Sequence, residues 1–179
     1  MSHRLLLPPL STISHLEGTG NFAVSKYYHW PWAPIYQTKL KMMLELLDTR
    51  RMYRSTLDYG CGAAQIMRPT LEKLSDKVTC VDKDDAEPIG KFDLIICGSV
   101  LEFVNLDETL HFFQKHLAQG GQIVGASPMD TPMTRLYLIS DLNKRHSHHY
   151  IMRKLKEYFK VTHSSSWLGL YFSFKAVAK

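Results

Sequence analysis

Two acids and two glycines in this chain stand at spacings that suit a nucleoside-bearing ligand. In Leu57-Asp58-Tyr59-Gly60-Cys61-Gly62-Ala63-Ala64 a short strand runs into a turn with two glycines, and a helical stretch follows. Glycine reaches backbone conformations closed to other residues and lets a ligand approach the main chain. A helix start adds unpaired N–H groups and a partial positive charge. A lone G-x-G pair is weak evidence. Here, however, Asp82 ends the next strand 20 residues beyond Gly62, where a carboxylate can accept from both hydroxyls of a ribose.

Other side chains suggest the chemistry around such a ligand. His146-Ser147-His148-His149 is the densest histidine cluster. A neutral imidazole is the natural proton acceptor near pH 7, so His148 and His149 are the candidate general bases and His146 a candidate substrate contact. Surface or helix-capping histidines are the plainer alternative. Tyr28 and Trp30, in the run Tyr27-Tyr28-His29-Trp30-Pro31-Trp32, could close over a cofactor or hold an apolar acceptor. Packing of the N-terminal segment against the core is the plainer explanation. Ser99 follows the third strand, at the edge where parallel sheets bind ligands. Cys61, Cys80 and Cys97 are odd in number and lack C-x-x-C spacing, so they read as free buried thiols. No zinc-like arrangement accompanies the histidines, and no metal site is expected.

The elements that must position these groups follow from periodicity. Ile35, Tyr36, Leu40, Met43, Leu44 and Leu47 recur at helical spacing after Pro34. Strands are expected at 55–58, 77–82 and 92–97; the last is apolar almost throughout, as a strand buried on both faces requires. A helix is expected over 63–74, with Pro69 bending it. Another should run from Asn105 or Asp107 to Ala118, stopped by Gly120-Gly121. Further strands are expected at 122–126, 159–165 and 170–178, with less regular helices over 133–142 and 150–158. The β-α-β-α-β order argues for an open parallel sheet with helices on its faces and an antiparallel hairpin at one edge.

Bulk properties narrow the class. The chain has 179 residues, 45% hydrophobic and 22% charged, which suits a soluble globular domain placed in the cytoplasm. No apolar run approaches the ~20 residues of a membrane span. Leu5-Leu6-Leu7 is interrupted by Pro8-Pro9 too early for a signal peptide. Residues 1–34 read as an arm or cover segment, with shallow membrane contact left open, and 35–179 as the domain. The net charge of +5 suits an anionic partner, but Lys and Arg are spread out and form no strong nucleic-acid footprint.

The turn resembles the first signature of class I S-adenosylmethionine-dependent methyltransferases, an acidic residue followed by x-G-x-G-x-G. Val81-Asp82 resembles the family's ribose-binding acid, and Phe92–Phe103 its F-D-x-V block followed by small residues and L-E-H, with Phe103 in place of the histidine. Leu117–Gln122 resembles the turn before its fifth strand, and Phe159–Ala178 its closing hairpin. A dinucleotide-binding oxidoreductase competes for the turn, but its third glycine is missing here. The resemblance covers roughly 35–179. It implies a Rossmann-like α/β sheet, S-adenosylmethionine as cofactor, and Asp58, Tyr59, Gly60, Cys61, Gly62, Asp82, Lys83 and Ser99 as its contacts. It further implies methyl transfer to an oxygen, nitrogen or carbon of a small, lipid-like or anionic acceptor. The alternatives are a non-catalytic scaffold of the same fold and, less favoured, a nucleic-acid methyltransferase, for which the run Cys97-Gly98-Ser99-Val100 lacks the proline and aromatic ring that would grip a base.

One departure is large. Only Lys83 to Phe92 separate Asp82 from Asp93, where the family normally has another strand and its helices. Ten extended residues reach at most ~33–36 Å, enough to run back along a strand and past one neighbour only if nearly straight. The expectation is a reduced sheet, lacking the strand that normally follows Asp82, with the Asp82 strand at an edge. Residues 1–34 or a second copy of the chain would then cover the exposed apolar face, and Asp85 would approach the adenine amine.

Overall fold

The computed structural model describes residues 4–16, 22–48, 50–82, 85–137 and 146–179. The elements in order are α1 (Leu10–Ile13), a 3₁₀ turn, α2 (Phe22–Tyr28), α3 (Trp32–Glu45), β1 (Thr56–Tyr59), α4 (Arg68–Leu71), β2 (Val78–Val81), β3 (Phe92–Gly98), α5 (Leu106–His116), β4 (Leu117–Pro128), α6 (Pro132–Tyr137), α7 (His148–Tyr158), β5 (Phe159–Trp167) and β6 (Tyr171–Ala178). They form a six-stranded sheet of order β2-β1-β3-β4-β6-β5. β2, β1, β3 and β4 pair in parallel, while β6 runs antiparallel to both β4 and β5. The expected reduction is present: β2 is the edge, and no strand lies among the described residues between β2 and β3.

Alternation along the strands divides the core in two. Leu94, Ile96, Val124 and Ala126 face α3, α4 and the N-terminal arm, where Val24, Leu40, Met43 and Leu71 meet them. Ile95, Cys97, Ile123 and Phe174 face α5 and α7, against Leu110, Phe113, Ile151 and Leu155. Leu94, Ile95 and Ile96 are fully buried, each contributing about 1.5–3 kcal/mol. α5 sets its apolar stripe at Leu106, Leu110 and Phe113, with Asn105 Oδ1 accepting from the Glu108 amide. Asp107 ties it to α7 by accepting from Tyr158 Oη (2.6 Å) and Lys154 Nζ (2.9 Å).

The arm covers the first face within the same chain. Leu5, Leu7 and Leu16 pack on the core formed by Ile13, Val24 and Tyr27, and Thr70 Oγ1 both accepts from Leu6 N–H and donates to Leu6 C=O. The shortened connector is held by the end of α5: Glu87 Oε1 meets Lys115 Nζ at 2.7 Å and His116 Nε2 at 2.8 Å, while His116 Nδ1 reaches Gly90 C=O at 2.9 Å.

Two expectations need correction. The helix over 63–74 shrinks to Arg68–Leu71 with Pro69 in its first turn. Proline lacks an N–H and clashes with the carbonyl four residues back, so the helix can start only just before it. Gly120-Gly121 does not stop α5, which ends at His116. The pair forms a bulge within β4: Phe92 pairs with Leu117, yet Leu94 pairs with Gln122. Gly120 has φ +68°, and a Cβ on Gly121 would lie 3.0 Å from Phe92 O. The boundaries of α3 and α7 begin earlier than expected, at Trp32 and His148. Residues 138–142 of the expected 133–142 helix lie outside the described set. Among the described residues, no helix is long and apolar enough to cross a membrane.

Candidate active site

The C-terminal ends of β1 to β4 meet at one sheet edge, joined there by the start of β6 and the N-terminal end of α7. Backbone bonds fix the loops: Gly60 N–H to Val81 C=O (2.7 Å), Ser99 N–H to Ala126 C=O (2.7 Å) and Met129 N–H to Leu170 C=O (2.9 Å).

Register places the acids. Asp58 pairs with Cys80, so both side chains project to one face, and Asp82 two residues on projects the same way. Asp58 is buried at 4% exposure. Burial first, then the nearby Asp82 charge, pushes its carboxyl up to about 7, against the pull of Lys39. Two carboxylates thus converge, one buried and one exposed, which suits a cationic ligand. Asp85 folds back onto the end of β2, its Oδ2 accepting from the Asp82 amide at 2.7 Å. Lys83 lies outside the described residues.

Lys39 is the residue that sequence reasoning missed. It is 2% exposed, and its ammonium donates to Tyr27 Oη at 2.8 Å and Ser99 Oγ at 2.9 Å, near the rings of Tyr27, Tyr36 and Tyr171. A partial signal was available: position 39 falls on the apolar stripe with Tyr36, Leu40 and Met43, where a lysine needs a reason to be buried.

The two glycines do different work. Gly60 (φ +78°) has Val100 directly over it; an added Cβ would sit 2.1 Å from Val100 Cγ2. Its missing side chain therefore makes room for the loop after β3. Gly62 (φ +63°) has nothing within 4 Å of an added Cβ, and that open cradle is where a ligand can reach the turn. Ser99 (φ +60°) and Gln65 (φ +43°) hold left-handed conformations, strain that collects around the same turn. Tyr59 packs away from the edge, against Phe112 and Phe113. Cys61 and Cys80 are half-buried, not fully buried; Cys97 is buried.

The histidines come to this edge with distinct hydrogen-bond roles. His148 Nδ1 accepts from the Asp130 amide at 3.3 Å, and burial, with His149 at 3.9 Å between rings, pushes its pKa down. The neutral ring therefore carries its hydrogen on Nε2 and can donate there. His146 is the same tautomer but engages its other nitrogen: Nε2 donates to Val104 C=O at 3.0 Å, leaving Nδ1 as an acceptor. His149 is exposed. Tyr28 Oη donates to Pro8 C=O at 2.5 Å, holding the arm, and Trp30 is 85% exposed. Glu102 is buried beside them, its Oε2 accepting from Ser127 Oγ at 2.9 Å, whereas Phe103 faces outward. Asp93, the acid of the F-D pair, sits at the opposite edge, where it accepts from the Arg54 amide. Among the described residues, no group of three His, Cys, Asp or Glu side chains converges as metal ligands would.

A parallel sheet ending in a reversed strand, a glycine turn after β1 and an acid after β2 define the class I methyltransferase fold. Solved structures of that class agree. NodS N-methyltransferase from Bradyrhizobium japonicum WM9 matches with a TM-score of 0.62 at 16% identity over 81% of this chain and 97% of that one. The same enzyme in complex with S-adenosyl-L-homocysteine gives 0.63 at 14% identity, over 94% and 97%. DhpI in its S-adenosyl-L-homocysteine complex gives 0.60 at 13% identity, over 83% and 88%. No family model and no curated protein matches the sequence.

Proposed function

We propose that this chain transfers a methyl group from S-adenosylmethionine to a small-molecule acceptor. The observation that carries the reading is the convergence of Asp58, Asp82 and the open side of Gly62 at the ligand-binding edge of a methyltransferase sheet. The cofactor supplies an activated methyl on a sulfonium, and the protein's task is to orient it and exclude water. Asp82 would accept from the sugar hydroxyls. Asp58, ionised, would face the cationic amino end, and Lys39 the carboxylate. The two carboxylates and one ammonium match a ligand that is cationic overall with a single anionic group. Complexes of NodS and DhpI with S-adenosyl-L-homocysteine support the same cofactor.

Acceptor handling falls to the rim. Trp30 precedes α3, Met133 is exposed in the first turn of α6 and Leu168 in the turn between β5 and β6, with Thr131 Oγ1 donating to Gly169 C=O at 2.6 Å. These surfaces favour an acceptor with an apolar part. His146, whose Nδ1 keeps its lone pair, would receive the acceptor's proton, while His148 donates from Nε2. Calorimetry with S-adenosylmethionine tests the cofactor, and label transfer from methyl-labelled cofactor to fractions of a cell extract tests the reaction. No heat at millimolar ligand would leave the fold as a non-catalytic scaffold.

A further inference from the structure

The glycine turn carries a cysteine, and the neighbouring edge strand carries another. Cys80 stands opposite Asp58 in the β1–β2 register and so projects to the face toward α4. The chain leaving Gly60, itself bonded to Val81 C=O, crosses that face on its way to α4. The turn thereby brings Cys61 beside Cys80, close enough that each thiol acts on the other's ionisation. Both are half-buried, neither is in a disulfide, and among the described residues no strand pairs with the outer side of β2. Arg68, held by Glu72 and Gln65, adds a positive charge that acts on both sulfurs. We propose that Cys61 and Cys80 form a peroxide-sensitive dithiol whose oxidation to a disulfide closes the cofactor turn. The consequence for the turn rests on the cofactor reading above; the disulfide itself does not.

The chemistry is complete with a hydroperoxide as oxidant. The neighbouring Cys61 thiol, aided by Arg68, holds the Cys80 thiol below its ordinary range despite burial; the thiolate is the nucleophile. Cys80 sulfur attacks one oxygen of hydrogen peroxide, the O–O bond breaks, and a sulfenic acid and hydroxide result, the hydroxide taking up the proton that the Cys80 thiol released to give water. Cys61 sulfur then attacks the sulfenic sulfur, forming the S–S bond and expelling the second oxygen as water with the Cys61 proton. Two thiols are oxidised and one peroxide is reduced to two waters. A bond at this point ties the loop beside Gly62 to β2 and removes the freedom with which its amides adjust to a ligand.

Peptide mass spectrometry after exposure to hydrogen peroxide reads the bond directly, and calorimetry with S-adenosylmethionine reads its effect. The expected results are a Cys61–Cys80 disulfide reversed by dithiothreitol, at least tenfold weaker cofactor binding in the oxidised form, and slower oxidation when cofactor is present. Cys80→Ser should bind cofactor as the reduced wild type does and lose the peroxide sensitivity; circular dichroism confirms that it folds. Absence of the disulfide in wild type, or equal affinity of oxidised and reduced protein, overturns the proposal. If the reduced wild type binds no cofactor, the cofactor reading fails separately, and with no site to close, the switch fails with it even where the disulfide forms.

Discussion

Replacing Asp58 with asparagine should make the protein more stable at alkaline pH while weakening cofactor binding. Asp58 titrates at about 7 when folded, against 3.8 in a free side chain. Below both values each state carries the proton, and the group costs nothing. Between them the folded state holds a proton that the unfolded chain has lost, so stability falls as pH rises, and above 7 the full penalty applies. At 1.36 kcal/mol per unit, the span of roughly three units is worth about 4 kcal/mol, of which roughly 2–3 kcal/mol falls between pH 5 and pH 8.5. The amide in Asp58→Asn carries no charge at any pH. Every other titrating group is shared by the two proteins, and any fixed packing difference is independent of pH. Urea melts of both at pH 5 and pH 8.5 therefore isolate the effect: the stability of Asp58→Asn relative to wild type should rise by roughly 2–3 kcal/mol between the two. A difference flat to within about 0.5 kcal/mol would show that Asp58 is not a strained buried carboxylate. On the proposed reading a cationic ligand would relieve the same strain. Wild-type affinity for S-adenosylmethionine should accordingly weaken by up to tenfold per unit as pH falls below about 7, and Asp58→Asn should bind weakly throughout.

The glycines give a contrasted pair: Gly60→Ala forces a Cβ to 2.1 Å from Val100 Cγ2, and strain plus overpacking should cost about 2–5 kcal/mol. Gly62→Ala meets only its φ penalty of about 1–2 kcal/mol, yet should weaken cofactor binding at least tenfold; urea melts and calorimetry separate the two effects. Lys39→Met keeps the side chain's length and loses its ammonium, so cofactor affinity should fall roughly 10–100-fold, and an unchanged Kd would remove Lys39 from the site. For the histidines, kcat of His146→Ala should drop by about 10²–10⁴ and that of His148→Ala by less than tenfold; the reverse order would show that the hydrogen-bond assignment of the two rings is wrong.

What could be read beforehand was whatever depends on local pattern or chain length. β3 declared itself because Phe92–Cys97 leaves no polar face, and only a strand covered on both sides accepts that pattern. The placing of Asp58 and Asp82 at one sheet edge was findable because it follows from position relative to strand ends. Pro69 was read as a bend although it is a boundary, and Gly120-Gly121 as a stop although it is a bulge; each residue permits both, and only the partner strand decides. Lys39 was legible only in part. Its place on the stripe of α3 marks it as buried, but its contact with Ser99 spans 60 positions, and nothing local announces that partner.

The shortened segment joins these threads. Ten residues cannot build a strand and a return path, so chain length alone forces β2 to the edge. Length does not say what steadies the crossing; Glu87 and Gly90, pinned by His116 at the end of α5, do that. An unpaired outer edge then leaves Val78, Thr79 and Cys80 only half-buried. With a further strand and its helices alongside, Cys80 would be closed off from solvent. Losing that strand therefore does more than shrink the sheet: it opens one thiol of the Cys61–Cys80 pair, beside the glycine turn.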